Sequence, residues 1–436
     1  MAENTREIVL DTLLALERRE DFSHRLVKAV LDKYQYLEER DRAFIKRLTE
    51  GTVERQIELD YYLDQCSSVP VRKMKPLIRC LMRMSVYQLL YMDNVPDSAV
   101  CNEACKLAQK RKFGNLKGFV NGVLRSVARQ KESLQLPDAQ KDAVGWLSVK
   151  YSMPVWIVEL WLDEYGREQT ERMLQSLLEI HPVSVRFRRN LPEAEREALI
   201  RKLQAEGVKL RPGNGLSGLY LAENGERLFS MPEFAAGKYL VQDASSVLAV
   251  EAAGIRAGDF VMDICAAPGG KSILAAELVQ DTGKVLARDV SEAKTARIEE
   301  NCSRMGMQNM TVEVWDATVT DEAYCEKADV LLADVPCSGL GVLGKKRDIK
   351  YRMTPEQTAQ IVKLQQEIIA NSWRYVKKGG TLLYSTCTIH TKENEQMARW
   401  ITERFPFVLE AERQFLPGVD ETDGFYYAKF RRTDTE

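Results

Sequence analysis

The stretch Asp263-Ile-Cys-Ala-Ala-Pro-Gly-Gly-Lys-Ser272 decides the fold of the C-terminal part of this chain. It follows a short apolar run at 260–264, which predicts a strand, and it leads into a predicted helix over 270–280. Glycines in such a turn let a ligand approach the backbone closely, and the N-terminus of the helix stabilises an anion. We therefore predict a ligand-binding turn at the carboxyl end of the first strand of an α/β sheet.

The residues after this turn continue to alternate between strands and helices. Continuous apolar strands separated by helices are typical of a parallel sheet that is covered on both faces. At the end of the chain, 407–409 and 424–430 predict two strands with no helix between them, and therefore an antiparallel pair. Region 241–436 is thus predicted to be a Rossmann-like α/β domain. Its predicted parallel strands are 260–264, 284–290, 310–314, 330–333 and 381–385, and its helices are 270–280, 291–305 and 355–376.

The two regions that precede residue 241 have different patterns. Residues 1–145 show helical periodicity without strand-like alternation, which predicts an all-α bundle with its own core. Residues 146–240 mix helices with strand-like runs, which predicts a small α+β module. Three arginines on or beside the first of these strands either face RNA or form the exposed side of the strand: Arg186, Arg188 and Arg189.

The whole chain has a net charge of −2, but one stretch carries charge of a single sign. Residues 104–131 contain eight basic residues and no acidic one, whereas ordinary surfaces mix both signs. Such a stretch is either a solvated helix face or a surface that contacts phosphates. A second basic run lies at 345–350. We predict that both runs contact RNA, through Lys110, Arg111, Lys112, Lys117, Lys345, Lys346, Arg347 and Lys350.

Composition and cysteine usage argue against several classes of protein. No apolar run reaches the roughly 18–20 residues that a membrane helix needs, and the first residues lack the apolar segment of a secretory signal. The nine cysteines are irregularly spaced without a CxxC pair, so neither a disulfide framework nor a zinc site is predicted. We expect a cytoplasmic protein with no metal ion. No membrane, DNA or obligate protein partner is expected.

Three kinds of ligand compete for the turn at 263–272. A dinucleotide site needs GxGxxG, which is absent, and a P-loop needs GxxxxGK[ST], in which Cys265 replaces the first glycine. An ATPase therefore stays a weaker alternative, with 330–334 as its acidic strand. The third ligand is S-adenosylmethionine. Asp289 and Asp316 follow the second and third predicted strands, where carboxylates can bind ribose hydroxyls and an adenine amino group.

Two cysteines follow the fourth and fifth predicted strands, which are expected to be neighbours. Cys337 lies three residues after Asp334, and Cys387 lies in Ser385-Thr-Cys-Thr388. A lone cysteine at a strand end is usually structural, and we interpret the other seven in that way. Two such cysteines on one cleft, one of them beside an aspartate, favour chemistry on a cytosine ring. A thiolate added at carbon 6 lets carbon 5 accept a methyl group, an acid at N3 stabilises the ring, and a base removes the carbon-5 proton.

The motifs DICAAPGGKS, DVPCSG and YSTCT, in this order, resemble the signature of the NOL1/NOP2/sun family of RNA cytosine-C5 methyltransferases. The basic helical region resembles a NusB-like RNA-binding domain, and this pairing is similar to family members that act on 16S rRNA. The resemblance covers nearly the whole chain. It implies an all-α NusB-like bundle at 1–145, a small α+β RNA-binding or linker module at 146–240, and a Rossmann-like methyltransferase domain at 241–436.

The resemblance also assigns roles to residues. It implies that Cys387 is the covalent nucleophile and that Cys337 assists product release; the chemistry described above makes Asp334 the candidate acid near the ring. DNA cytosine-C5 methyltransferases instead use the cysteine of the PC motif, which would make Cys337 the attacker; Ser338 stands where they usually have glutamine, and we favour Cys387. S-adenosylmethionine would be held by Cys265, Ala266, Ala267, Pro268, Gly269, Gly270, Lys271, Asp289, Asp316 and Asp334.

Two departures from the family pattern and one rival function remain. Arg288 stands where the family usually has a small apolar residue, and the basic loop at 345–350 lacks the usual proline. The rival is a non-catalytic, antitermination-like RNA-binding factor with a vestigial methyltransferase domain. The intact Cys387, Asp334 and glycine turn argue against such decay.

Overall fold

The computed structural model describes residues 4–18, 22–213, 216 and 218–433 of the chain. These residues form two compact units. The first, called the helical unit here, comprises Met1–Leu178 and Leu343–Arg352; the second, the catalytic unit, comprises Glu179–Val342 and Met353–Glu436. In the described part of the chain, no helix combines the length and the apolar character that crossing a membrane requires.

The helical unit is built from amphipathic helices around one apolar core. Asn4 caps the first helix, because its side-chain oxygen accepts hydrogen bonds from the amides of Arg6 and Glu7. Leu10, Leu48 and other fully buried side chains form the core. The helices are α1 (Thr5–Glu17), α2 (Ser23–Lys33), α3 (Glu39–Glu54), α4 (Gln56–Cys66), α5 (Pro76–Tyr91), α6 (Asp97–Lys110), α7 (Lys117–Gln130), α8 (Ala143–Lys150), α9 (Val155–Ser176) and, from the second segment, α15 (Ile349–Arg352).

The helical unit extends to Leu178, and the domain boundary after residue 145 stays a prediction. Helices α8 and α9 belong to this unit, and the loop between them is bonded to it: the amide of Ile57 donates a 2.9 Å hydrogen bond to Ser152 Oγ. The segment 343–352, called the strap here, also belongs to the helical unit. The carboxylate of Asp348 in the strap accepts hydrogen bonds from the amide and the hydroxyl of Ser23, at 3.0 and 2.5 Å.

A small module opens the catalytic unit. Its antiparallel sheet has the strand order β2-β3-β1-β4, and Val185, Phe187 and Tyr239 lie in its core. The elements are β1 (Val183–Phe187), α10 (Glu193–Ala205), β2 (Lys209–Pro212), β3 (Leu219–Glu223), α11 (Pro232–Ala235) and β4 (Tyr239–Val241). The predicted α+β character of this module is confirmed.

The rest of the catalytic unit contains a seven-stranded sheet of order β10-β11-β9-β8-β5-β6-β7. Strands β5 to β9 pair in parallel, and β11 runs antiparallel to both β9 and β10. The predicted mostly parallel sheet with an antiparallel pair at its end is therefore confirmed. The elements are α12 (Ala244–Ala253), β5 (Phe260–Asp263), α13 (Gly270–Val279), β6 (Lys284–Asp289), α14 (Glu292–Met305), β7 (Met310–Val314), β8 (Ala328–Asp334), α16 (Pro355–Ser372), β9 (Val376–Thr386), α17 (Glu395–Arg404), β10 (Phe407–Phe415) and β11 (Phe425–Arg432).

The strand order places the functional motifs on one edge of this sheet. Strand β5 pairs with β6 on one side and with β8 on the other, so the direction in which the chain adds strands reverses at β5. Ligands of open α/β sheets bind beyond the carboxyl ends of the strands at such a point. Strands β5, β8 and β9 end at Asp263, Asp334 and Thr386, and the glycine turn, Cys337 and Cys387 follow these ends.

Arg288 on β6, the unusual residue of the sequence, is buried without breaking the strand. Its Nη2 atom lies 2.7 Å from Glu313 Oε2 and 2.7 Å from Asp321 Oδ2. The guanidinium also lies over the rings of Trp315 and Tyr324, at 4.8 and 4.6 Å from their centroids. These contacts offset the desolvation of the charge, so the arginine fills a polar niche at this end of the sheet.

Candidate active site

The predicted ligand-binding turn connects β5 to α13. Gly269 precedes the helix with a φ of 101°, and a Cβ atom there would lie 3.2 Å from Ile298 Cγ2, so a larger residue would be strained. The turn borders a cavity of about 170 Å³. Seven of the predicted cofactor-binding residues line the cavity, together with four that the prediction did not include. The lining is Cys265, Ala266, Ala267, Pro268, Gly270, Lys271 and Asp334, with Val241, Gln242, Ser246 and Asp263.

Two polar side chains of this cavity are buried, and each has one atom without a hydrogen-bond partner among the described residues. Asp263 is 1% exposed; its Oδ2 accepts a 2.6 Å hydrogen bond from Ser272 Oγ, whereas its Oδ1 has no partner. Burial raises the pKa of Asp263 to about 7. The second group is Gln242, whose Nε2 has no partner. Buried polar atoms are normally satisfied because leaving them unpaired costs free energy, so these two atoms indicate a polar ligand.

The two carboxylates predicted for the nucleoside lie outside this lining. Asp289 is buried, and its Oδ2 accepts a 2.9 Å hydrogen bond from the amide of Ala267, which fixes the turn to the end of β6. Its Oδ1 lies 2.9 Å from Lys294 Nζ. Asp316 is exposed, and the amide and hydroxyl of Thr318 donate to its Oδ1 and lower its pKa. Both aspartates therefore have structural contacts, and their cofactor contacts stay predictions.

The two cysteines of the strand ends lie together. Cys337 Sγ and Cys387 Sγ are 3.0 Å apart, and the amide of Cys387 donates a 3.3 Å hydrogen bond to Cys337 Sγ. The hydrogen bond with Cys387, together with burial, raises the pKa of the Cys337 thiol well above its ordinary value. Cys337 is therefore protonated at neutral pH, and its thiol is placed to donate to a thiolate on Cys387.

An ion pair joins the glycine turn to the end of β8. Lys271 Nζ lies 2.7 Å from Asp334 Oδ2, and Ser385 Oγ donates a 2.8 Å hydrogen bond to Asp334 Oδ1. The ammonium also lies 5.1 Å from the centroid of the Phe425 ring. Burial alone would lower the pKa of Lys271, but the Asp334 carboxylate outweighs it and raises the pKa, so a positive charge is held at the site.

A buried carboxylate that the sequence analysis did not single out fixes the loop of Cys337. Glu393 is fully buried, and its Oε2 accepts hydrogen bonds from the Ser338 amide at 2.9 Å and from Gln365 Nε2 at 3.0 Å. The Ser338 hydroxyl, in turn, lies 2.7 Å from Thr388 Oγ1. Because Ser338 and Thr388 directly follow the two cysteines, this network sets the separation of the thiols. The signal in the sequence was only an acid six residues after Cys387.

The first basic run offers exposed cations in the helical unit. Lys112 and Lys117 are exposed, and no ion pair to either is found among the described residues. Lys110 and Arg111 instead pair with acids of α1: Lys110 Nζ lies 2.6 Å from Glu7 Oε2, and Arg111 Nη2 lies 2.5 Å from Asp11 Oδ1. RNA contact by all four residues stays a prediction.

The second basic run lies in the strap and differs from its prediction. Lys350 is 4% exposed, and its Nζ donates a 2.8 Å hydrogen bond to the carbonyl of Glu54. Arg347 pairs with Glu50 at 3.1 Å and with Glu54 at 2.7 Å. The prediction that Lys350 contacts RNA is wrong in this structure, because its ammonium lies inside the helical unit, and Arg347 is held by two carboxylates. Lys345 is exposed and Lys346 half-buried, so their RNA contacts stay predictions.

Two of the arginines on or beside β1 also have definite partners. Arg186 is 2% exposed and forms a buried ion pair with Glu277, so it is not on an RNA-facing surface. Arg189 is partly exposed and pairs with Glu251.

The sheet order and the glycine turn beside two thiols define the class of protein: a Rossmann-like methyltransferase that carries an additional helical domain. Three family matches agree with this class. Residues 251–431 match the family described as 16S rRNA methyltransferase RsmB/F, and residues 3–129 match the NusB family. Residues 153–226 match the ferredoxin-like domain of RsmF/B-like methyltransferases.

The chain is also similar to named proteins over almost its whole length. It is 34% identical to the probable ribosomal RNA small subunit methyltransferase B of Bacillus subtilis, covering 98% of this chain and 99% of that protein. It is 31% identical to ribosomal RNA small subunit methyltransferase B of Salmonella arizonae, covering 91% of each chain. The chain therefore belongs to the ribosomal RNA small subunit methyltransferase B family, which confirms the family predicted from the motifs.

Solved structures support the same fold. The crystal structure of PH0851 has a TM-score of 0.83 at 24% identity and covers 99% of this chain and 100% of its own. A methyltransferase homologue from Pyrococcus horikoshii has a TM-score of 0.56 at 25% identity and covers 66% of this chain and 97% of its own. The predicted combination of a NusB-like bundle, a small α+β module and a Rossmann-like domain is confirmed.

Proposed function

We propose that this protein transfers a methyl group from S-adenosylmethionine to carbon 5 of a cytosine in 16S rRNA, through a covalent bond between Cys387 and carbon 6. The observation that carries the proposal is the pair of thiols 3.0 Å apart at the ends of β8 and β9, beside the glycine turn. Membership in a family whose named relatives are small-subunit rRNA methyltransferases supports the RNA substrate.

The residues at the turn fit the proposed cofactor. S-adenosylmethionine, when bound, supplies a methyl group on a positively charged sulfur. The cavity offers an unpaired acceptor and an unpaired donor, and the α13 N-terminus adds backbone N–H groups. Whole-ligand pockets hold roughly 300–1,000 Å³, so the cavity of about 170 Å³ takes one end of the molecule. We assign residues 265–271, Asp289, Asp316 and Asp334 to the cofactor.

The proposed chemistry begins with the Cys387 thiolate, whose sulfur bonds to carbon 6 of the cytosine. The electron pair of the carbon 5–carbon 6 double bond then forms the bond from carbon 5 to the transferred methyl group, while the bond from that methyl to its sulfur breaks. An acid that hydrogen-bonds N3 stabilises the ring; Asp334 is our candidate, with the proton supplied through its ion pair with Lys271. A base takes the carbon-5 proton, and the returning electron pair expels the Cys387 thiolate.

Cys337 is suited to the last step rather than to the attack. Its thiol stays protonated because the neighbouring Cys387 and burial both raise its pKa. A protonated thiol is a poor nucleophile, but it can donate to the departing sulfur 3.0 Å away and so favour release of the product. The Glu393 network keeps Cys337 at this distance.

The helical unit would supply the affinity for RNA. Lys112 and Lys117 are exposed on it, and Lys110 keeps its side chain 64% exposed beside its ion pair. Such cations bind phosphates without reading sequence. The target cytosine must leave its stack to reach the thiols, as in other enzymes that act on a base.

The decisive experiment is a labelled-methyl transfer assay on 16S rRNA with the wild type, Cys387→Ala and Cys337→Ala. We expect no transfer and no adduct from Cys387→Ala. Cys337→Ala should accumulate a covalent protein–RNA adduct, visible as a shifted band on a denaturing gel. Full activity of Cys387→Ala would refute the proposal, and an adduct formed by that variant would make Cys337 the attacking thiol.

A further inference from the structure

We propose that Gln242 binds the α-carboxylate of the cofactor's amino-acid end, and that Arg186 is the positioning residue that orients its amide. This inference rests on the proposed function, because it takes S-adenosylmethionine as the ligand of the cavity. Gln242 directly follows β4 of the small module, and its backbone N–H donates a 3.1 Å hydrogen bond to the carbonyl of Ser184 on β1. The small module thereby contributes a side chain to the cofactor site.

The position of Gln242 is that of a ligand-binding group. It lines the cavity, is only 7% exposed, and its Nε2 has no hydrogen-bond partner among the described residues. The same atom lies 3.5 Å from the point where a Cβ on Gly270 would stand, so it adjoins the first residue of α13. A buried amide group pays the full cost of desolvation unless a ligand accepts its hydrogen bond.

The orientation of the Gln242 amide follows from its other contact. Arg186 Nε lies 2.9 Å from Gln242 Oε1, and an arginine nitrogen can only donate. The amide oxygen must therefore face Arg186, which directs the NH₂ group to the other side. Arg186 is held by its buried ion pair with Glu277 on α13. The helix that follows the glycine turn therefore also fixes, through Arg186, the side-chain amide of Gln242.

The chemistry of the surroundings selects a carboxylate. A neutral NH₂ donor beside the N-terminus of a ten-residue helix favours an anion, because the first N–H groups of the helix lack partners within it. The unpaired acceptor Asp263 Oδ1 in the same cavity suits a cation. A zwitterionic amino-acid end carries both charges, whereas the nucleoside end carries neither.

Binding of three ligands to the full chain tests this assignment by isothermal titration calorimetry. S-adenosylhomocysteine carries the whole amino-acid end, decarboxylated S-adenosylmethionine lacks the carboxylate of S-adenosylmethionine but keeps its sulfonium, and 5′-methylthioadenosine lacks the amino-acid end. In Gln242→Ala, we expect the Kd of S-adenosylhomocysteine to rise at least tenfold, as for loss of a hydrogen bond to a charged group. The Kd values of the other two ligands should stay within twofold of the wild type.

Two further variants separate a direct contact from damage to the fold. Gln242→Glu keeps an oxygen for Arg186 but places a negative charge towards the cavity, so it should weaken S-adenosylhomocysteine more than Gln242→Ala does and leave 5′-methylthioadenosine unchanged. Gln204→Ala removes an exposed glutamine of the same module and should bind all three ligands as the wild type does.

Three results would overturn the assignment. Equal losses for all three ligands in Gln242→Ala would mean that Gln242 only shapes the cavity. An unchanged Kd for S-adenosylhomocysteine would mean that it does not touch the ligand. A wild type that binds none of the three would refute the proposed cofactor itself, and this inference with it.

Discussion

The helical unit buries Lys350, the catalytic unit holds Lys271 with its side chain only 13% exposed, and the pKa values of the two lysines are shifted in opposite directions. Burial lowers the pKa of Lys350 in the helical unit to about 7, because its hydrogen-bond acceptor is the Glu54 carbonyl and two arginines lie nearby. Lys271 in the catalytic unit is also desolvated, but the Asp334 carboxylate at 2.7 Å raises its pKa. A carboxylate in direct contact thus decides whether a buried ammonium stays charged. The catalytic unit keeps a fixed charge, whereas the helical unit holds one that titrates near neutral pH.

The largest expected effect is on the rate of methyl transfer, and it comes from removing the Asp334 carboxylate that pairs with Lys271. In Asp334→Asn, the ammonium of Lys271 loses its counter-charge and the site loses its candidate acid at N3, so we expect methyl transfer to fall at least about 100-fold. Initial rates of labelled-methyl transfer measure this loss. Asp329→Asn is the matched control, since Asp329 lies on the same strand but pairs with Lys377 away from the thiols. A loss below tenfold in Asp334→Asn would remove Asp334 from the chemistry.

A second expected effect is the contribution of Lys350 to the pH dependence of stability, which is the difference between the wild type and Lys350→Met. Its pKa is lower in the folded chain than in the unfolded chain, so between about pH 7 and pH 10 the unfolded state binds a proton that the folded state does not. The contribution of Lys350 to the free energy of unfolding should therefore rise with pH over this range, by up to about 1.4 kcal/mol per pH unit. Lys350→Met should remove that rise and stabilise the protein at pH 7.

Urea denaturation at pH 7, 8 and 9 measures this effect, with Lys271→Met as the comparison. The pKa of Lys271 is raised, so its contribution to stability is constant over this range and is lost only as the pH rises through its folded value. The slope of Lys271→Met should therefore match that of the wild type. Parallel curves for the wild type and Lys350→Met would contradict the assigned state of Lys350.

The smallest expected effect is on the affinity for RNA, which should depend on the exposed Lys112 and Lys117 but not on the buried Lys350. Lys112→Ala and Lys117→Ala should each weaken binding to 16S rRNA fragments a few-fold and reduce the slope of log K against log salt by about 1. Lys350→Met should leave both quantities unchanged, because its ammonium is inside the helical unit. Fluorescence anisotropy at 50–200 mM salt measures them. A lowered slope in Lys350→Met would restore the basic strap as an RNA contact.

The sequence predicted those features that depend on local patterns and on strand ends. The order of apolar runs indicated the parallel sheet, and the rule that ligands bind at the carboxyl ends of strands brought Cys337 and Cys387 together before their 3.0 Å separation was known. The glycine turn was predicted because it follows the end of a strand. The φ of 101° at Gly269 explains why a glycine stands there.

Other features depended on contacts that a single sequence does not reveal. The short strands β2 and β4 were missed because one is largely exposed and the other has three residues. Gln242 reaches the cavity from a different sheet, and Glu393 reaches Ser338 from the loop before α17. The burial of part of the basic run at 345–350 could not be predicted, because the sequence of such a run does not show whether its cations face solvent or carboxylates such as Glu50 and Glu54.

The membership of the strap in the helical unit also constrains how the protein is made. Leu178 leaves the ribosome well before Leu343, and the 164 residues between them belong to the other unit. At roughly 5–20 residues per second, the nascent helical unit waits on the order of 8–33 s for its last segment. During that interval Glu50 and Glu54 lack Arg347, so a fragment truncated at residue 178 should resemble this unfinished intermediate rather than an autonomous domain.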